Sequence, residues 1–262
     1  MRILVTVKFT PDLQSNRSFA DGTVTRTADD GSMNELDEHA VEAALQLVEA
    51  ASEGEVFALT VGGPDAVAAV RKALQLGANH AIHVQDDAVA GSDVFGTAAV
   101  LAAAIRKVHD ESPLDLVITG MAALDGLTSM LPTALAAELD WSQLTLASSL
   151  EVADGSATIV RHLADAHETV TAPLPAVVSV TDELNKPRFP NFKLIMAARK
   201  AEVTVWSLAD LGVDPASVGA GAARTIVVDA SPRPPRANQK IVTDTGEGGK
   251  ILADFLIERG LV

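Results

Sequence analysis

The sequence predicts an α/β fold in which an open parallel sheet carries helices on both faces. Two observations lead there. Short β-branched runs alternate with segments whose apolar residues recur every three or four positions, and the connections between them are short. Residues 3–7, Ile-Leu-Val-Thr-Val, form the continuous apolar run that a parallel strand buried on both faces requires. Asn34 is placed to cap a helix running to about residue 51, with Leu36, Ala40, Ala44 and Val48 repeating on one side. Residues 55–61 read as a second strand. Gly63-Pro64 then opens a helix whose buried stripe is Val67, Val70 and Leu74. Residues 81–84 and 114–119 are further strands, residues 92–107 an Ala-rich helix and residues 128–139 another.

After Trp141 the pattern changes. Residues 146–152 and 157–162 flank Asp154-Gly155, a hairpin signal. Residues 169–171 add a strand and residues 176–180 look like a buried one. Ser231-Pro-Arg-Pro-Pro-Arg236 excludes regular helix or a central strand, because each proline removes a donor. An amphipathic helix over about 249–259 follows. Such a spacer and helix read either as an arm that packs on a partner or as a tail that folds back. The expected division is therefore 1–225 as the α/β domain and 226–262 as the arm.

The chain has 262 residues, 48% of them hydrophobic and 21% charged, which is an ordinary globular composition. It has no Cys, which excludes disulfides, thiol catalysis and thiolate metal sites. A formal net charge of −15, from 20 Lys+Arg against 35 Asp+Glu, argues against nucleic-acid and anionic-membrane binding. No apolar stretch approaches the roughly 18 residues of a membrane span. Residues 2–8 are too short for a secretory signal, so a cytoplasmic chain is expected. The acidity is uneven. Residues 1–150 hold 8 basic and 21 acidic residues (8 − 21 = −13), whereas 151–262 hold 12 and 14 (12 − 14 = −2). Within the second part, Lys186, Arg188, Lys193, Arg199 and Lys200 stand against Asp182 and Glu183. This basic island reads as a docking surface for an acidic partner or as a helix end whose cations suit the dipole.

Few residues point to catalysis, and no catalytic residue is assigned. The six His form no H-E-x-x-H, and neither a P-loop nor a G-x-S-x-G elbow is present. The first β–α junction, Lys8-Phe-Thr-Pro-Asp-Leu-Gln, lacks the glycine fingerprint of dinucleotide folds. One junction does suit an anion. Strand 116–119 leads into Gly120-Met-Ala-Ala-Leu-Asp-Gly126-Leu-Thr-Ser-Met-Leu-Pro132, where two glycines allow tight turning and Thr128 or Ser129 caps the next helix. Free N–H groups at such a terminus attract phosphate. The loop carries no Lys or Arg, which suits a retained mononucleotide; the plain alternative is a capped βα turn.

Several stretches together resemble the β subunit of electron transfer flavoproteins along nearly the whole chain. They are Val5-Thr-Val-Lys8 with Pro11-Asp12, Ser32-Met-Asn34, Val70-Arg-Lys-Ala-Leu-Gln-Leu-Gly-Ala78, Asp125-Gly126 with Pro132, Leu174-Pro-Ala-Val-Val178, and Asn185-Lys-Pro-Arg-Phe-Pro-Asn-Phe192 before Ile195-Met-Ala-Ala. The resemblance implies a Rossmann-like, adenine-nucleotide-binding sheet with a hairpin segment and an extended C-terminal arm on the α subunit. It implies a heterodimer in which FAD is held mainly by α and a structural AMP by β. By position, the AMP pocket would take in Thr6, Asn34, Thr60, Val61, Gly62, Gly120, Asp125, Gly126, Leu127, Thr128, Ser129, Met130 and Leu131. Leu13 and Leu36 stand at the FAD edge, where the family often has an aromatic. Many members read D-G-D-T-G-Q through the phosphate loop, and here that acidic residue and Gln are missing.

The same resemblance makes residues 184–198 a partner-recognition loop built from Pro187, Arg188, Phe189, Phe192, Lys193, Ile195 and Met196, with Phe192 as its anchor and Arg199 and Lys200 beside it. Glu168 matches a residue linked to swinging of the FAD domain. The implied role is electron carriage from acyl-CoA or related dehydrogenases to a quinone-linked oxidoreductase. Electron-bifurcating members instead hold a second FAD in the β site and oxidise NADH. A stand-alone ATP-binding stress-type protein shares the architecture but needs neither the loop nor the arm.

Overall fold

The computed structural model describes every residue except 16, 17, 21, 22, 52, 232, 236 and 238–240. The chain divides into two compact units, Met1–Asp229 and Ala230–Val262. In the first, β1 (Arg2–Thr6) leads into four short strands: β2 (Phe9–Pro11), β3 (Phe19–Ala20), β4 (Thr23–Val24) and β5 (Gly31–Met33). These pair as two antiparallel ribbons, β2 with β5 and β3 with β4. Alternation follows through α1 (Glu35–Ala50), β6 (Glu55–Val61), α2 (Val67–Leu76), β7 (His80–Val84), α3 (Val94–Glu111), β8 (Leu116–Gly120), α4 (Leu131–Leu139) and β9 (Ser142–Ala147). Next come β10 (Ser149–Ala153), β11 (Ser156–His162), β12 (His167–Pro173), β13 (Ala176–Val180), α5 (Phe192–Lys200), β14 (Thr204–Trp206) and a single turn, α6 (Gly219–Ala222).

Seven strands form one sheet in the order β14-β7-β6-β1-β8-β13-β9, and every pairing in it is parallel. The strand period of two sorts side chains into two cores. Ile3, Val5, Val56, Ala58, Leu116 and Ile118 face Ala40, Ala44, Val70 and Ala73 of α1 and α2. Leu4, Phe57, Leu59 and Val117 face Val100, Leu101, Ile105 and Leu135 of α3 and α4. The sheet first grows from β1 through β6 to β7, and α3 then returns the chain to β8 on the other side of β1. Connections leave β1 and β8 in opposite directions, so their C-terminal ends open the crevice in which such sheets hold ligands.

A smaller antiparallel sheet, β10-β11-β12, turns at Asp154 and Gly155. Their φ values of 49° and 74° are the left-handed pair that a two-residue hairpin needs. In the second unit, α7 (Gly248–Glu258) leaves Ile251, Leu252, Phe255 and Ile257 exposed. Within the proline-rich stretch, residues 231 and 233–235 have no regular structure, while 232 and 236 lie outside the described residues.

Several local expectations are corrected. Asn34 stands at the start of α1, but its side chain makes no cap bond, because it is spent on another loop. The helix expected from residue 92 begins at Val94, where the Asp93 carboxylate accepts from the Phe95 and Gly96 N–H groups at 3.0 and 3.1 Å. The helix expected from residue 128 begins at Leu131. Thr128 and Ser129 do not cap it, since Ser129 takes a left-handed φ of 52° and remains in the loop. The run 146–152 is divided between two strands in different sheets: β9 ends at Ala147 and β10 begins at Ser149, and Leu146, still within β9, has a left-handed φ of 62°.

Leu116 is fully buried on the strand next to β1. Leu116→Ala should cost about 2–5 kcal/mol through lost burial and a residual cavity. A shift in denaturant midpoint equivalent to less than about 1 kcal/mol would contradict this packing.

Candidate functional site

A cavity of about 660 Å³ occupies the crevice at the C-terminal ends of β1, β6 and β8. Of the residues expected there, Thr6, Val61, Gly62, Gly120, Gly126, Thr128, Ser129 and Leu131 line it. The others have different roles. Asn34 donates from Nδ2 to the Ala122 carbonyl at 2.9 Å and accepts the Leu124 N–H on Oδ1 at 3.1 Å, so it pins the loop that follows β8. Thr60 is buried with its hydroxyl unpartnered. Leu127 and Met130 turn outward and are exposed.

Asp125 is an internal counter-ion for the same loop. Its side chain is fully covered. One oxygen accepts from Lys8 Nζ at 2.8 Å, and the other accepts from Arg26 Nε at 3.0 Å and from its Nη2. Burial pushes this carboxyl up, but the Lys8 and Arg26 charges and hydrogen bonds outweigh that and hold it below its ordinary value. Lys8 and Arg26 also line the cavity. The cations missing from the loop are therefore supplied by the end of β1 and the β4–β5 connection.

The loop itself is shaped for an anion. Leu127 and Ser129 both have left-handed φ, 50° and 52°, the kind of kinked backbone in which successive N–H groups converge. Among the described residues, the N–H groups of Thr128, Ser129 and Met130 have no acceptor. A Cβ on Gly126 would meet nothing within 4 Å, so the loop borders open space. Gly120 is required for the opposite reason. A Cβ there would lie 2.5 Å from Asp37 Oδ1 and 2.9 Å from the Leu36 carbonyl.

Asp37, which sequence reasoning missed, lines the cavity and accepts the Lys8 N–H at 2.8 Å. Its signal was a carboxylate one turn into a helix on an otherwise apolar face. Arg26 had no signal at all, because it meets Asp125 across 99 residues. At the FAD-edge positions, Leu13 is exposed and Leu36 half-buried.

The recognition segment is also structured. Phe189 and Phe192 are 89% and 79% exposed, and Lys193 and Met196 are exposed beside them. Pro187 and Ile195 are half-buried. Asn191 caps α5 by accepting the Leu194 N–H at 2.9 Å. Arg188 points inward to Glu42 and Glu49. Glu168 pairs with Arg161 directly across β11 and β12, at 2.7 Å from Nε. His162 lies 2.8 Å from Glu183 and 3.3 Å from Ser148, the order of a nucleophile relay. However, Ser148 Oγ donates to the Val160 carbonyl at 3.0 Å, which makes this a surface network joining two strands to residue 183.

Residues 21–211 match the electron transfer flavoprotein domain. The chain is 40% identical over 266 residues to the electron transfer flavoprotein subunit beta of Mycobacterium tuberculosis, with 99% of each chain covered. It is 33% identical to the caffeyl-CoA reductase-Etf complex subunit CarD of Acetobacterium woodii, with 94% of this chain and 93% of that one covered. It is 30% identical to Protein FixA of Azotobacter vinelandii, covering 99% and 94%. The chain belongs to the electron transfer flavoprotein β-subunit family.

Burial pushes the Asp37 carboxyl up to about 7, against hydrogen bonds from the Lys8 backbone and Asn34. The folded state therefore holds this proton more tightly than the unfolded chain, whose ordinary value is 3.8. The resulting stability is complete below that value and is lost as pH rises through about 7, at ~1.4 kcal/mol per pH unit within the window. Asp37→Asn should flatten the stability profile between pH 4 and 7. Parallel profiles for variant and parent would show that Asp37 is already ionised there.

Proposed function

We propose that this chain is the β subunit of a heterodimeric electron carrier that retains AMP, docks a dehydrogenase, and leaves most of the FAD to its α partner. The exposed Phe189–Phe192 pair on a tied-down loop is the observation that carries this reading. Large apolar side chains held in water on an ordered segment mark an interaction site, and none of the chemistry-bearing groups described above suits bond-making catalysis.

The cavity fits a mononucleotide in size and chemistry. The free N–H groups of residues 128–130 and the Lys8–Arg26 pair would hold the phosphate. Gly62 and Gly120 line the pocket where the chain packs tightly, against Ala66 and against Leu36 and Asp37 respectively. A carboxyl held largely protonated below about pH 7 at Asp37 puts little negative charge beside it. When bound, FAD supplies one-electron carriage between donor and acceptor. This chain contributes grip and partner choice. Acyl-CoA or related dehydrogenases dock at Phe192, and a quinone-linked oxidoreductase receives the electrons. The exposed apolar residues of α7 suit an arm lying on the α subunit, and Glu168 suits exchange of its Arg161 partner for a basic group of α during domain motion. We place the chain in the cytoplasm as part of this reading. Among the described residues no helix is long and apolar enough to cross a membrane.

One observation favours a second reading. Lys8 and Arg26 against the single charge of Asp125 leave a surplus positive charge at the loop, which suits a diphosphate such as that of a second FAD in an electron-bifurcating, NADH-oxidising subunit. Mass spectrometry of nucleotides released from the purified heterodimer decides between them. One AMP and one FAD are expected; two FAD and no AMP overturn the first reading. Phe192→Ala should slow electron transfer from the dehydrogenase with no loss of flavin, and raised salt should weaken docking by screening the exposed cations. Unchanged rates at limiting carrier would remove Phe192 as the anchor.

A further inference from the structure

We propose that Arg188 is a positioning residue for docking: it fastens the 184–191 segment to α1 and so sets Phe189 and Phe192 in place before a partner arrives. This rests on reading the loop as a docking site. Arg188 has every arm of its fork engaged. Nε donates to Glu42 Oε2 at 2.7 Å, Nη1 to Glu49 Oε1 at 2.6 Å, and Nη2 to Glu42 Oε1 at 3.2 Å and Glu49 Oε2 at 3.0 Å. Its backbone N–H also donates to Glu42 Oε2 at 3.2 Å. Four of its five guanidinium N–H donors are engaged within the chain, which leaves a single one on Nη1 to offer a partner.

The acceptor side is equally committed. The Glu42 side chain is 6% exposed and accepts from Gln46 Nε2 at 2.8 Å. Burial raises the Glu42 carboxyl, but the Arg188 and Gln46 hydrogen bonds more than reverse this and hold it below its ordinary value. A second pin lies three residues back on the same side of α1. Asn185 Nδ2 donates to the His39 carbonyl at 2.9 Å, and His39 Nδ1 lies 3.1 Å from the Asn185 carbonyl oxygen. Positions 39, 42, 46 and 49 are the three-and-four spacing of one helical stripe, so the segment is laid along α1. Beyond it, Arg71 of α2 donates to the Ala198 and Ala201 carbonyls at 2.8 and 2.6 Å, holding the far end of α5.

Between these fixed points the two phenylalanines remain in water. Left loose, they would fold back onto nearby apolar surface, and ordering them on contact would weaken binding. The clamp removes that cost in advance. It needs a planar fork, because a lysine ammonium cannot bridge two carboxylates in parallel.

The test uses the heterodimer with its dehydrogenase, reading KM for the carrier, kcat at saturating carrier, bound flavin, and hydrogen exchange over 184–191. Arg188→Met should raise KM roughly tenfold, leave kcat and flavin within about twofold, and speed exchange in that segment. Arg188→Lys should recover little of the loss. Glu49→Gln, which removes only the exposed half of the clamp, should give a smaller rise in KM and guards against misfolding caused by an unpaired Glu42. If Phe192→Ala raises KM while Arg188→Met and Glu49→Gln leave it unchanged, the positioning role is refuted and the docking reading stands. If Phe192→Ala also leaves KM unchanged, the docking reading itself fails. A Arg188→Met variant that loses stability and kcat with unaltered KM would reduce the clamp to a structural tie.

Discussion

The first turn of α1 is the constraint on which both sites depend. A parallel sheet that reverses its direction of growth beside β1 leaves the ends of β1 and β8 apart, and something must hold the loops that leave them. Asn34 and Asp37 do this. One ties the β8 loop through Ala122 and Leu124, and the other accepts the Lys8 N–H at the exit of β1 while lying against Gly120. Polar side chains at a helix start normally serve that helix's own N–H groups. Here they serve two neighbouring segments, and the helix supplies the rigid base.

The same helix then carries the recognition segment. Its stripe of His39, Glu42 and Glu49 begins within one turn of Asp37, so at 1.5 Å per residue the crevice between β1 and β8 and the 184–191 segment hang from about 18 Å of one helix. Each region also holds a covered carboxylate with dedicated cations: Asp125 with Lys8 and Arg26 beside the crevice, and Glu42 of α1 with Arg188. A buried charge is tolerated only when paired and hydrogen-bonded, and breaking either pair strands a carboxylate in a covered position. An acidic chain has many carboxylates and few cations. Its use of three cations on two covered acids shows where geometry matters most.

Much of the fold was legible because its signals are local. The parallel strands are continuous apolar runs. The Asp154-Gly155 turn states its own backbone conformation. Gly120 reads as a tight-turn glycine, whereas the structure uses it for a close approach to Leu36 and Asp37. What could not be read is long-range pairing. Arg26 and Arg188 are ordinary surface arginines by composition, and only the fold brings them to Asp125 and Glu42. The caps failed for a related reason. Thr128 and Ser129 have the right chemistry, but two left-handed residues delay the helix to Leu131 and leave their N–H groups open to solvent. Three-residue strands such as β14 and β5 are too short for a period to emerge.

The basic island is better resolved once Arg188 is counted with α1. Four cations then remain on the segment, Lys186, Lys193, Arg199 and Lys200, none of which forms an ion pair among the described residues. Exposed cations of this kind steer encounter and are screened by salt, but they contribute little to the strength of a docked complex. Strength must come from apolar area, and on this segment that means Phe189 and Phe192 with Met196. That division suits brief encounters, because long-range attraction sets how often partners meet while a small apolar anchor lets them part quickly. The fixed loop then does by geometry what a larger interface would do by area.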